Sequence, residues 1–118
     1  MHEMSIAVEL LTRLEELAVE HDLTRVHALT VRAGVLRGIV PEALDMAFAE
    51  AAGGTLAEGA KLTLQITPAR ARCRLCGERF APTVDSFLCP RCNQADVEII
   101  EGNEILLLSL DGASRDEN

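Results

Sequence analysis

Cys73-Arg74-Leu75-Cys76 and Cys89-Pro90-Arg91-Cys92 decide how this chain is built. All 4 cysteines of the sequence lie in these two C-x-x-C pairs, with residues 77–88 between them. Two residues between cysteines let both sulfurs of a pair face one point. Two such pairs supply four thiolates at tetrahedral positions, the ligand set of a closed structural zinc site. Gly77 follows the first pair and suits the tight turn that brings backbone amides towards the sulfurs. Pro90, inside the second pair, fixes one backbone angle. The stretch therefore reads as a zinc ribbon, although a four-thiolate iron site has the same spacing. Two disulfides would need an oxidising compartment, and a redox C-x-x-C usually occurs once, near a βαβ pattern. A closed four-cysteine site has no open coordination position, so it stabilises a fold and performs no chemistry by itself.

Composition limits what surrounds the ribbon. A length of 118 residues suits one domain plus one small module. Hydrophobic residues make up 48% and aromatics 3%, with no Trp or Tyr, so the core must be built from Leu, Ile, Val and Ala. A formal net charge of −8 argues against a duplex nucleic-acid binder, which needs a basic stripe. Basic residues do gather locally at Arg70, Arg72, Arg74, Arg79 and Arg91, either as solvated charge or as a docking patch for an acidic partner. There is no charged start followed by an apolar run, and no apolar stretch of membrane-spanning length. The expectation is a protein of the reducing cytoplasm, without membrane or nucleic-acid partners.

Outward from the ribbon, the pattern predicts two helices and three strands. Met4, Ala7, Val8, Leu11, Leu14, Leu17 and Ala18 recur at helical spacing, so a helix is expected from about Met4 to Glu20, ended by His21-Asp22. Arg25 to Ala33 reads as a strand, with His27, Leu29, Val31 and Ala33 on one face. His27 reads as a packed or edge histidine, and His21 as a cation at a helix end. Gly34 to Val40 is a loop without the ending of a phosphate-binding loop. Pro41-Glu42 opens a second helix with Leu44, Ala47, Phe48 and Ala51 as its buried stripe, and Gly53-Gly54 closes it. Lys61 to Thr67 alternates as a half-buried strand. The run Ile105 to Leu108, after a turn at Gly102-Asn103, predicts a last strand covered on both faces or paired at an interface.

These elements give an α+β fold: two helices packed on a three-stranded sheet, with the four-cysteine zinc ribbon inserted between two of its strands. The expected domains are 1–68 plus 98–112, a ribbon at 69–97, and a frayed polar tail at 113–118.

The N-terminus carries a second candidate metal site. Met1 offers an α-amine, His2 a backbone nitrogen and an imidazole, and Glu3 another backbone nitrogen, all within one short stretch. Such a set suits square-planar Ni(II) or Cu(II). Otherwise His2 is a loose terminal residue, and Glu3 merely favours the helix start.

Four stretches in this order resemble one family. They are Met1-His2-Glu3, Val40-Pro41-Glu42-Ala43-Leu44, Gly54-Thr55-Leu56-Ala57-Glu58-Gly59-Ala60 and the two cysteine pairs. Together they resemble the HypA/HybF family of nickel metallochaperones for [NiFe]-hydrogenase maturation, over nearly the whole chain. The resemblance implies transient Ni(II) at His2, helped by Met1, backbone nitrogens and Glu3. It implies structural Zn(II) at Cys73, Cys76, Cys89 and Cys92. Implied partners are a HypB-type GTPase and the hydrogenase large subunit, with urease maturation proteins in some relatives; a homodimer is left open. The chain departs from the family pattern at Asn93-Gln94, and no histidine stands near its cysteines. The alternative is a zinc-ribbon adaptor that binds a protein partner without nickel transfer. No catalytic residue set is found, so no enzyme activity is expected.

Overall fold

The computed structural model describes residues 2–83 and 86–114, and for His2 the backbone alone. Helix α1 spans His2–His21, a stretch free of Gly and Pro. It ends where Asp22 turns left-handed at φ 57°, a conformation a short polar side chain tolerates. Strand β1 (Leu23–Gly34) leads through a 3-10 turn (Val35–Arg37) to α2 (Pro41–Ala52), which has its proline in the first turn as expected. Strands β2 (Lys61–Thr67), β3 (Arg70–Cys73), β4 (Arg79–Phe80), β5 (Val97–Glu101) and β6 (Ile105–Ser114) follow. They form two three-stranded sheets, ordered β2-β1-β6 and β4-β3-β5. The fold is α+β, with the cysteines carried by the insertion between β2 and β6. None of the described helices is long and apolar enough to cross a membrane.

The chain divides into two compact units. The first holds Met1–Val31, Ile39–Leu64 and Leu107–Asn118. Here α1 packs on α2. Ile6, Ala7, Leu10, Leu14 and Ala18 are buried on α1, and Leu44, Ala47, Phe48 and Ala52 on α2. The stripe on α1 is thus rotated from the expected one. Val8 is exposed, Met4, Leu11 and Leu17 are half-buried, and Leu10 takes the place expected of Leu11. The reason is that α1 is apolar in several registers, so periodicity alone leaves its inward face ambiguous; packing against α2 selects one. On α2 the same shift replaces Ala51 by Ala52. On β1, Leu29, Val31 and Ala33 are buried as one face while His27 is exposed.

Leu14 is completely buried. Leu14→Ala is therefore expected to lower stability by about 2–5 kcal/mol, the usual cost of a truncated core leucine. Thermal or denaturant unfolding measures it, and an unchanged midpoint would mean that this side chain contributes nothing to the core.

The second unit holds Arg32–Gly38 and Gln65–Leu106. It is larger than the expected ribbon of 69–97, for two reasons. First, β5 pairs with β3 in the ribbon sheet, with Arg72 opposite Glu98 and Cys73 opposite Val97. Second, the turn after β5 is bonded to the end of β1: Gly34 N–H donates to the Glu104 carbonyl at 2.8 Å and Leu36 N–H to that of Gly102 at 2.9 Å. Any side chain at Gly34 would run into the Gly102 backbone, so only glycine permits this approach. Glu104 fixes the turn. Its carboxylate accepts from Gly102 N–H at 2.8 Å, Asn103 N–H at 2.9 Å and the Thr67 hydroxyl at 3.0 Å. The Gly102 amide, then the Thr67 hydroxyl, hold its pKa below the ordinary carboxylate value.

Two further expectations are corrected. Strand β6 is an edge strand, and Leu106 and Leu108 are exposed, so the first of the two alternatives, an apolar run covered on both faces, is the one corrected. Ala113 and Ser114 continue β6 instead of fraying, and residues 115–118 lie outside the described residues.

Candidate metal centre

Both cysteine pairs are built by the same backbone device. In the first, Cys73 N–H donates to the Glu78 carbonyl at 2.9 Å, and Gly77 N–H donates back to the Cys73 carbonyl at 2.9 Å. In the second, Cys89 N–H donates to the Gln94 carbonyl at 2.9 Å, and Asn93 N–H to the Cys89 carbonyl at 2.8 Å. The turn needs a left-handed residue just after each second cysteine: Gly77 has φ 80° and Asn93 has φ 62°. Asn is the side-chain-bearing residue that best tolerates this region. The departure at Asn93 therefore preserves the turn. In the second pair the amides also face sulfur, with Arg91 N–H at 3.4 Å and Cys92 N–H at 3.5 Å from Cys89 Sγ.

The result is one cluster of four sulfurs, all within 4.8 Å of one another. Cys73 Sγ lies 3.5 Å from Cys92 Sγ, and Cys76 Sγ 3.6 Å from Cys89 Sγ. None of the four is disulfide-bonded. A Zn–S bond of about 2.3 Å places tetrahedral sulfurs about 3.8 Å apart, close to these spacings. The donor set and its geometry thus fit a structural zinc ion held by Cys73, Cys76, Cys89 and Cys92.

The sulfurs are not equivalent towards protons. The Cys76 backbone amide leads in drawing the Cys73 thiol down to about 7. For Cys92 the Gln94 amide pulls downward, but burial and the three neighbouring cysteines outweigh it and push the thiol up to about 12. A metal ion must displace these protons, so its affinity falls with pH.

The arginines near the cluster are engaged. Arg70 pairs with Glu101 at 3.0 Å, Arg72 with Glu98 at 3.0 Å and Arg74 with Asp96 at 3.2 Å. Alternation along β3 puts these three on one side while Ala71 and Cys73 face the other. Exposed pairs of this kind contribute up to about 1 kcal/mol each. Their carboxylate partners neutralise most of the basic patch, which weakens the reading of it as a dock for an acidic partner.

At the N-terminus, Met1 and the His2 side chain lie outside the described residues. The backbone of His2 opens α1. Glu3 is buried, 8% exposed, and its Oε2 accepts from Val40 N–H at 3.2 Å. Sequence reasoning gave Glu3 no such partner, because 37 residues separate the two and no local pattern announces the contact.

The fold and the four-sulfur cluster define a small α+β protein built around a structural, zinc-type metal ribbon. A family model described as "Hydrogenase/urease nickel incorporation, metallochaperone, hypA" matches residues 1–112. The chain belongs to the HypA family of nickel-incorporation metallochaperones. The hydrogenase maturation factor HypA of Desulfitobacterium hafniense (strain DSM 10664 / DCB-2) is 38% identical over 111 residues, covering 94% of this chain and 97% of its own. That of Aquifex aeolicus (strain VF5) is 38% identical over 111 residues, covering 94% and 96%. The solution structure of the Ni metallochaperone HypA from Helicobacter pylori shares the fold, with a TM-score of 0.71 at 24% identity over 96% of this chain and 98% of that one.

Proposed function

We propose that this chain carries Ni(II) at its N-terminus and passes it, with a HypB-type GTPase, to the large subunit of a [NiFe]-hydrogenase. In this reading the α-amine of Met1, the amide nitrogen and imidazole of His2 and the amide nitrogen of Glu3 surround the ion. One observation carries it: α1 begins at His2. An α-helix makes no intrahelical hydrogen bond with the N–H groups of its first turn. Coordination through the amides of His2 and Glu3 therefore costs α1 none of its own bonds. The zinc ribbon has a separate, structural role, because four thiolates leave no position for exchange. The family match over residues 1–112 supports nickel over copper as the cargo.

The test is transfer. Untagged, zinc-loaded protein is titrated with Ni(II), freed of excess metal, and incubated with nickel-free large-subunit precursor, with and without the GTPase. The expected result is about one nickel bound per chain beyond the zinc, followed by nickel in the separated large subunit. A chain that takes up no nickel, or keeps it in the presence of precursor and GTPase, overturns the proposal.

A further inference from the structure

We infer that the Glu3 side chain is a positioning residue, strapping the metal-binding first turn of α1 to the first turn of α2, and not a nickel ligand. This rests on the proposed terminal nickel site and specifies how that site is held.

The start of α2 lacks a cap of its own. Its N-cap residue, Val40, has no side-chain acceptor, and Pro41 behind it has no N–H. In a capping box the carboxylate at the third helical position reaches back to the N-cap N–H. Here that position is Ala43, which has no carboxylate. Glu3 does the same work from another helix: its Oε2 accepts from the Val40 N–H at 3.2 Å. A negative charge at that place also complements the dipole of α2.

Burial points the same way. Glu3 is the one buried charged residue among the described residues. A carboxylate leaves water at little cost only where hydrogen bonds replace its hydration. The adjoining depression of about 250 Å³ is lined by Met4, Ala43, Met46, Ala47 and Glu50 beside Glu3 itself. Recruiting Oε2 as a metal ligand would compete with the Val40 bond and weaken the cap of α2. Left in place, the strap anchors the residue next to His2. That limits the freedom of the two amide nitrogens which a square-planar ion needs in one plane.

The experiment compares Glu3→Gln with Glu3→Ala in the untagged full chain. The Gln side-chain carbonyl can accept from Val40 N–H; Ala cannot. Amide exchange at Val40 is read on nickel-free protein, and nickel affinity and absorption spectrum by titration, with zinc content as the folding control. The expected result is that Val40 protection is lost in Glu3→Ala and largely kept in Glu3→Gln. Nickel binding should weaken roughly tenfold in Glu3→Ala, the scale of one lost cap, with most of that loss rescued by Gln. An equal loss of nickel in both variants while Gln preserves Val40 protection would identify the carboxylate as a ligand and overturn the inference. Unchanged Val40 exchange in Glu3→Ala would overturn it as well. If the native chain bound no nickel, the terminal site itself would fail, while Val40 exchange would still decide whether the strap exists.

Discussion

Cys76→Ser is expected to strip the metal from the ribbon and unfold residues 70–101 while α1 and α2 remain packed. The argument turns on what else the ribbon can bury. Between Ala69 and Glu101 the buried described residues are Ala69, Ala71, Cys73, Pro82 and Cys89. No large apolar side chain is among them. Strand β4 has only two residues, and the three arginine–carboxylate pairs on β3 are exposed. Neither hydrophobic burial nor surface ion pairs can offset the conformational entropy of ordering such a segment. Structural zinc sites of this type contribute on the order of 10 kcal/mol of apparent binding energy, and that energy is also folding energy. Losing one of four thiolates removes most of it. The first unit has its own core of Leu14, Leu29, Leu44 and Phe48, which the substitution does not touch. Metal analysis should find about one zinc per native chain and little in the variant. Amide exchange should show protection lost over 70–101 and kept in the helices. Full protection of the ribbon in metal-free protein would refute the argument. Acid should act like the substitution, because protons return to the thiols as pH falls.

What the sequence reveals here depends on how far apart the interacting residues stand. The cysteine pairs are local: two residues between sulfurs and a left-handed turn just beyond are both visible in the chain, so the zinc-type cluster is legible. The Pro41 start and the Gly53-Gly54 stop of α2 are legible for the same reason. The inward face of α1 is not. Leu10 and Leu11 are equally apolar, and only the position of α2 decides that Leu10 is buried and Leu11 half-exposed. The allegiance of β5 is equally hidden. Val97–Glu101 alternates as any strand would, and nothing in it tells that its partner is β3 in the ribbon. Glu104 and Glu3 are the clearest cases. Glu104 reads as one more surface acid among 19 acidic residues, and Glu3 as a nickel-site residue or a charge favouring the helix start. Yet Glu104 ties a turn to Thr67 and Glu3 caps α2, through bonds spanning 37 residues in each case.

His2→Ala is expected to abolish tight nickel binding without changing zinc content or secondary structure. The reason is the geometry of adjoining chelate rings. An α-amine, the next amide nitrogen and the imidazole of that same residue can close on one ion only when the amine directly precedes the histidine. Each donor then presents itself at high effective concentration to an ion already held by its neighbours. Removing the imidazole breaks the set and leaves an amine and amides, which bind a proton or water in preference. Nothing in the cluster of Cys73, Cys76, Cys89 and Cys92 requires residue 2, so zinc is unaffected. Alanine is also a good helix former, so α1 should persist from its first turn. The same geometry predicts that one extra residue before Met1 weakens binding even with His2 intact, because the amine becomes an amide. Native binding should fail as pH falls, since protons compete for the amine, the imidazole and both amide nitrogens. The measurements are a nickel titration followed by the absorption band of square-planar Ni(II), metal analysis for zinc and far-ultraviolet circular dichroism. The band should form with native protein and be missing from His2→Ala. Native nickel affinity in His2→Ala would place the ion elsewhere and leave the N-terminus without a metal role.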